Sequence, residues 1–367
     1  MYRQIVGLSN YESLILTQKR IHAEKFPFDE KRVIRLTRPN GLMREARRFW
    51  YRKCRQAPWA IFDRERREIE KALAENRAEL LHIYFGHIGM HLLPLLESKT
   101  RTCPVIVSFH GADVGVDMDK AAYLRAMQEV FGRADRILAR SESLAQELRK
   151  LGCPEDKIRI SRTGIPLEQW PVIEREPPAD GEWRLVQACR LIEKKGLDTS
   201  LKAMAKLREY FPKLQLTVIG EGPLENEVAE QAGKLGLAES VEFTGFVNED
   251  RLREEFARAH VFLHPSRTGA DGNQEGVPNA ILEAMATGLS VAATRHGGIP
   301  EAVEDGASGI LVAEDDWESL AEHLATLLKD EQSWKAMGTA ARESVESGFS
   351  QQKQIADLEA IYGEVIK

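Results

Sequence analysis

Short apolar runs alternate with amphipathic stretches along most of this chain. Residues 80–84 (Leu-Leu-His-Ile-Tyr), 105–109, 136–139 and 158–160 predict strands, with helices over 123–134 and 142–151. After residues 166–182, a stretch rich in Pro and acidic residues that is expected to be a linker, the alternation restarts. Strands are predicted at 183–188, 214–219, 241–243, 260–265 and 289–294. Helices are predicted at 196–210, 224–235 and 249–259, and then at 317–328, 334–346 and 352–366. Strand and helix in turn is the pattern of parallel α/β sheets, and 367 residues suit two domains. The N-terminus reads two ways. Either 1–8 is a helix followed by a strand at 13–17, which is the preferred reading, or 4–8 is a strand and 14–23 a helix.

The densest chemistry lies in residues 275–288, Glu-Gly-Val-Pro-Asn-Ala-Ile-Leu-Glu-Ala-Met-Ala-Thr-Gly. Pro278 suits the first turn of a helix and Gly288 its C-terminal end. Glu275 then sits in the loop ahead of the helix, and Glu283 about one and a half turns inside it. The free N–H groups of the helix start, with Gly276 permitting close approach, make a place for an anion such as a phosphate. Carboxylates on either side accept hydrogen bonds from hydroxyls, and a phosphate between hydroxyl-rich groups describes a nucleotide sugar. Two glutamates alone would read as a solvated surface helix. The setting argues otherwise: an apolar strand and polar loop precede them, and a strand, the Gly297-Gly298 turn and a helix opened by Pro300 follow. Ligands of open α/β sheets bind at such carboxyl ends of strands.

On Glu275, Gly276 and Glu283 the chain resembles the retaining glycosyltransferases of family 4, whose GT-B fold sets two Rossmann-like parallel-sheet domains across a cleft. The runs Asp271-Gly272-Asn273-Gln274-Glu275-Gly276-Val277-Pro278 and Thr294-Arg295-His296-Gly297-Gly298-Ile299-Pro300-Glu301 are similar to bacterial exopolysaccharide enzymes of the colanic acid and amylovoran type. The resemblance runs from about His82 to the end. It implies an acceptor domain over 1–168, rejoined by a last helix at 352–367, and a nucleotide-sugar domain over 169–351. It also implies that the usual first strand is missing from the N-terminal sheet.

It assigns roles as well. Arg190, at the end of a strand, and Lys195, ahead of the next helix, would hold the diphosphate, which suits a guanidinium and an ammonium converging on one point. Glu283 would hold the ribose. Glu275 and the backbone of Gly276, Val277, Pro278 and Asn279 would hold sugar hydroxyls. His110, at a strand end before Gly111, would lie beside the donor sugar, with Asp113 a weaker acceptor contact. The turn carrying Gly222 would lie near the nucleotide, and the loop with Phe246 and Val247 would face the base. The base itself, UDP or GDP, is not distinguished, nor is the acceptor, a glycan or a lipid-linked glycan. Asp117 and Asp119 form an Asp-x-Asp that reads as a surface coincidence, so neither a metal nor a cofactor is expected.

Composition narrows the class. Its 43% hydrophobic and 29% charged residues are ordinary for a soluble globular enzyme. It shows no run of membrane-span length and no secretory signal, and its four scattered cysteines suit reduced thiols in a cytoplasmic protein. The net charge of −6 hides an asymmetry: residues 31–71 carry 14 Lys or Arg against 5 Asp or Glu, a local +9 that leaves −15 elsewhere. Phe49, Trp50, Tyr51, Trp59 and Phe62 interleave with the cations. This segment reads either as a solvated helix face with its aromatics turned inward or as a contact with an anionic membrane surface. No nucleic-acid motif accompanies it, so nucleic acid is not expected as a partner.

Overall fold

The computed structural model describes residues 2–115, 120–269, 272 and 274–366. The chain divides into two units, Met1–Arg162 with Gln351–Lys367, and Thr163–Ser350.

In the first unit β1 (Ile15–Thr17) and β2 (Val33–Arg35) form a parallel pair of their own. A separate four-stranded parallel sheet runs in the order β3 (Leu81–Tyr84), β4 (Val105–Phe109), β5 (Arg136–Ala139), β6 (Ile158–Ile160). β4 is buried along its whole length, as expected for a parallel strand covered on both faces. The helices Ala121–Arg133 and Glu142–Lys150 supply Met127, Val130, Phe131, Leu144 and Leu148 to one face. The C-terminal helix Gln351–Val365 brings Leu358, Ile361 and Tyr362 onto Ile106 and Leu138 on the other. Tyr2–Gly7 is helical and Ile15–Thr17 a strand. Among the described residues no strand pairs with the free edges of β1 and β3, which therefore stay as edges.

The second unit is a six-stranded parallel sheet in the order β12 (Gly309–Val312), β11 (Ser290–Thr294), β10 (Val261–His264), β7 (Arg184–Ala188), β8 (Gln215–Ile219), β9 (Val241–Gly245). Alternate residues face opposite helix layers: Leu185, Leu216 and Leu263 belong to one core, Val186, Ile219 and Phe262 to the other. This is the doubly wound order, with its reversal between β7 and β10, where a crevice opens at the carboxyl ends.

Four details depart from expectation. Pro278 is the N-cap and the helix begins one residue later, as Asn279–Ala286, because an extended ψ of 129° at Pro278 still belongs to the loop. Pro300 opens only a single 3₁₀ turn, Ile299–Glu301, before the chain turns into β12. β12 itself, a four-residue apolar run on the sheet edge, is too short to stand out by pattern. The stretch expected to be a linker belongs to the second unit: Trp170 is fully buried. The guanidinium of Arg175 there donates to the carbonyls of Phe256, Ala259 and Thr287.

Candidate active site

Two loops meet at the reversal point of the second sheet. The first leaves β7. Gln187, buried at its end, donates Nε2–H to the carbonyl of Lys195 (2.9 Å) and accepts from Ser200 Oγ (2.6 Å). These bonds shape the 3₁₀ turn Glu193–Lys195. Gly196 follows with φ of +60°, and a Cβ there would meet the carbonyl oxygen of Pro265 at 1.8 Å. Only glycine lets this turn close against the loop after β10. Arg267 stitches the same contact from the other side: its N–H donates to the carbonyl of Lys194 (2.9 Å), and its guanidinium reaches Asp198 (3.1 Å) and Asp315 (2.8 Å).

The second loop runs from β10 to the helix Asn279–Ala286. Glu275 is held in it by its backbone. Its N–H donates to His296 Nε2 (3.0 Å), and its carbonyl accepts from Gly298 (3.2 Å). An accepting Nε2 makes His296 the Nδ1–H tautomer, and that nitrogen meets Glu314 Oε1 at 2.6 Å. Gly297 has φ of +53°, and a side chain there would strike the Glu275 carbonyl at 2.2 Å.

These constraints bring Lys195 Nζ to 2.6 Å and Lys194 Nζ to 3.4 Å from Glu275 Oε1, with the carboxylate side chain only 11% exposed. The contact is a close, charge-assisted ion pair. Burial alone would raise the Glu275 carboxyl, but the cations, Lys195 foremost, outweigh it and hold it down at about 2. Glu275 is therefore a carboxylate at neutral pH, able to accept hydrogen bonds from hydroxyls and unable to donate a proton. Beside it His264 is buried with neither ring nitrogen partnered among the described residues, and burial, then the charge of Lys195, push it down to about 3, so it is neutral. Ser266 Oγ is buried and, among the described residues, unpartnered too. Buried polar groups are normally satisfied, so His264 and Ser266 keep hydrogen-bonding capacity in reserve beside the ion-paired Glu275.

The other predicted residues of this unit lie on the helix Asn279–Ala286, on the loop that leads into it and on the loops that follow β7, β8 and β9. Pro278 is buried, Val277 packs on the core, and Asn279 is exposed at the first helical position. Among the described residues nothing accepts the N–H of Gly276 or Val277. Glu283 is the fifth residue of the helix and half-buried. A Schellman closure ends that helix, with Leu289 N–H on Ala284 O (3.2 Å), Gly288 N–H on Met285 O (2.9 Å) and Gly288 at φ of +80°. Arg190 stands exposed just past β7. Gly222 lies in the turn after β8, where Leu191 N–H donates to Glu221 O (3.0 Å). Phe246 is 71% exposed past β9, its N–H on Glu221 Oε1 (3.3 Å), while Val247 packs inward. Lys195 and Glu275 are thus joined directly, whereas Arg190 makes no side-chain bond among the described residues.

His110 belongs to the first unit, at the carboxyl end of β4. Its N–H donates to Asp113 Oδ2 (3.0 Å), Arg140 Nε–H donates to its Nδ1 (3.4 Å), and Phe85 lies 4.5 Å from its ring. Asp113, expected as an acceptor contact, is instead a buried clamp whose other oxygen meets His87 Nδ1 at 2.8 Å. Asp117, Asp119, Asp271 and Asn273 lie outside the described residues. Sequence reasoning missed His264, His296 and Glu314. His296 lies within the run 294–301 that carries the family likeness, but no spacing rule joins residues 275, 296 and 314.

A parallel doubly wound unit with basic and acidic side chains at its reversal point is a ligand-binding architecture, and comparison with known proteins gives the family. Residues 18–169 match glycosyltransferase family 4 and residues 168–344 match glycosyl transferases group 1. The chain is 35% identical over 286 residues to the putative colanic acid biosynthesis glycosyltransferase WcaL of Escherichia coli, covering 77% of this chain and 70% of that protein. It is 32% identical over 284 residues to the amylovoran biosynthesis glycosyltransferase AmsK of Erwinia amylovora, covering 77% and 70%. The chain belongs to glycosyltransferase family 4. In fold it is similar to the Anabaena protein HepE, solved in complex with UDP, at a TM-score of 0.71 and 17% identity over 96% of this chain and 100% of that one.

Proposed function

We propose that this glycosyltransferase moves a hexose, with retention of configuration and without a metal ion, from a nucleotide-diphosphate sugar to a glycan or lipid-linked acceptor in exopolysaccharide synthesis. The Lys195–Glu275 pair carries the reading: an anion-binding cation and a hydroxyl-accepting carboxylate meet at a helix start on the sheet's reversal point. Arg190 and Lys195 take the diphosphate, and Lys194 adds charge. The leaving diphosphate gains negative charge in the transition state, so fixed cations and backbone N–H groups aimed at it lower the barrier. Glu275 and the Gly276–Val277 backbone hold sugar hydroxyls, Glu283 the ribose, and Phe246 lies at the base. Glu275, engaged by lysine, is not a free nucleophile, and the departing phosphate itself takes the acceptor's proton. The curated names of the two relatives, which concern colanic acid and amylovoran, and the UDP bound by HepE support this assignment of substrate class.

The same proposal places the enzyme at the cytoplasmic face of an anionic membrane, where a lipid-linked acceptor would be met. The observation is a surface on the helix Gly41–Phe49 and the π-helical turns Trp50–Arg55. Leu42, Met43, Phe49 and Trp50 are 85%, 51%, 64% and 54% exposed there, beside exposed Arg48, Arg52, Lys53 and Arg55. Only part of the basic segment turns inward: Arg47 pairs with Glu65 at 2.6 Å and lies 4.3 Å from the Trp59 ring. Among the described residues no helix is long and apolar enough to cross a membrane. The function is tested by titrating a panel of UDP- and GDP-hexoses and following hydrolysis or transfer, with the anomer of the product read by NMR. A chain that binds none of them, or releases an inverted product, overturns the reading.

A further inference from the structure

Arg140 follows β5 and is 7% exposed, yet among the described residues none of its partners is a carboxylate. Its NH2 group donates to Gln4 Oε1 (2.8 Å), a buried side chain on the helix Tyr2–Gly7. Its NH1 group donates to the carbonyls of Ser161 (3.2 Å) and Arg162 (3.4 Å), and its Nε–H to His110 Nδ1 (3.4 Å). Burial lowers the guanidinium to about 10, so it remains a cation at neutral pH. A buried charge held by neutral acceptors is costly, and what it contributes is an effect on the groups it touches.

The consequence falls on His110. A guanidinium has donors and no acceptor. The nitrogen that receives it must present a lone pair, so the proton of the neutral ring sits on Nε2. Burial first, and the adjacent Arg140 charge second, push His110 down to about 3, which keeps the ring neutral. The Nε2 atom is buried and meets no hydrogen-bond partner among the described residues. The Asp113 carboxylate does not compete for the ring, because its oxygens are taken by the His110 backbone N–H and by His87.

We propose that Arg140 is a positioning residue that fixes His110 as the Nε2–H tautomer, so that this ring offers a hydrogen-bond donor, and not a base, to an oxygen of the donor sugar. The ligand part rests on the reading of His110 as a neighbour of the donor sugar. The Arg140 part rests on the geometry alone.

The test begins with the wild-type protein labelled with ¹⁵N-histidine, with His110 identified through His110→Gln. At pH 7 its Nδ1 should resonate as an unprotonated nitrogen and its Nε2 as a protonated one. Arg140→Lys should keep that pattern and Arg140→Met should lose it. Titration with UDP-glucose and GDP-mannose, against UDP and GDP alone, then separates positioning from damage. Arg140→Met should weaken the nucleotide sugar roughly tenfold and leave the free nucleotide unchanged, and Arg140→Lys should restore most of the loss. A proton found on Nδ1 in the wild type, or an Nε2–H ring that persists in Arg140→Met, overturns the proposal. Equal loss of sugar-bearing and free nucleotide in Arg140→Met overturns it too. If Arg140→Met does not fold, the wild-type spectrum decides the tautomer. Wild-type protein that binds neither nucleotide sugar overturns the donor-site reading and with it the ligand part, while the spectrum still decides Arg140.

Discussion

Removing Lys195 should strand a buried carboxylate. Glu275 sits 2.6 Å from Lys195 and is held at about 2 instead of the ordinary 4.5. A gap of that size corresponds to about 3 kcal/mol of differential stabilisation of the charged form, at roughly 1.36 kcal/mol per unit. Breaking a buried pair from one side commonly costs about 3–5 kcal/mol. Lys194, at 3.4 Å, remains to share the charge, so Lys195→Met should destabilise the second unit by about 2–3 kcal/mol. Guanidinium unfolding at pH 7 followed by tryptophan fluorescence measures this, because Trp170, Trp183, Trp317 and Trp334 all lie in that unit. The double variant Lys195→Met/Glu275→Gln should regain most of the loss, since no buried charge is left unpaired. The pH dependence has a definite sign. A carboxyl depressed in the folded state contributes fully above its unfolded value near 4.5, and that contribution is lost as pH falls towards 2. The stability advantage of wild type over Glu275→Gln should therefore be greatest near neutral pH and shrink across this window. Lys195→Met as stable as wild type at pH 7, or a difference flat from pH 6 to pH 3, would refute the reasoning.

Glu283→Ala should weaken free nucleotide and nucleotide sugar alike by about 1.5–3 kcal/mol, and unchanged affinity by calorimetry removes Glu283 from the ribose. Arg190→Ala should lower kcat more than it weakens donor binding, because its charge matters most as the diphosphate departs; a raised KM with normal kcat in steady-state kinetics indicates uniform binding instead. Trp170→Ala should cost about 3–5 kcal/mol by emptying a fully buried site, and a denaturant midpoint equal to wild type would show that 166–182 is a loose connector after all. Wild-type protein should sediment with anionic vesicles at low salt and be released by added salt. Each basic residue contributes about 1 kcal/mol near the surface, so Arg48→Glu/Lys53→Glu should abolish most binding, and equal recovery on neutral vesicles argues for a solvated face.

The alternation of apolar runs was enough to announce parallel α/β architecture, because a strand covered on both faces is largely apolar, and β4, β10 and β11 are buried along their whole length with only isolated polar residues. Residues 275–288 carried their own local geometry in Gly276, Pro278 and Gly288, which act through their own backbone angles. Short elements escaped: β12 is four residues at a sheet edge, and the turn at Pro300 lacks the length a period needs. The glycosyltransferase class was legible because the run that carries the family likeness, residues 275–288 with its two glutamates, is local in the chain.

What the chain could not show before folding is how distant residues share one place. Lys195 and Glu275 are eighty positions apart, and their contact exists because β7 and β10 lie side by side at the sheet's reversal. Glu275 is aimed by His296 and Glu314, and His110 by Arg140, through hydrogen bonds between neighbouring strand ends. Whether a histidine donates or accepts depends on which atom of a remote side chain reaches it, and whether a lysine is free or paired depends on the dielectric that burial creates. Composition and spacing determined the fold class and the chemistry available. Strand order and burial decided which charges meet, which nitrogen carries the proton and which polar groups are left open.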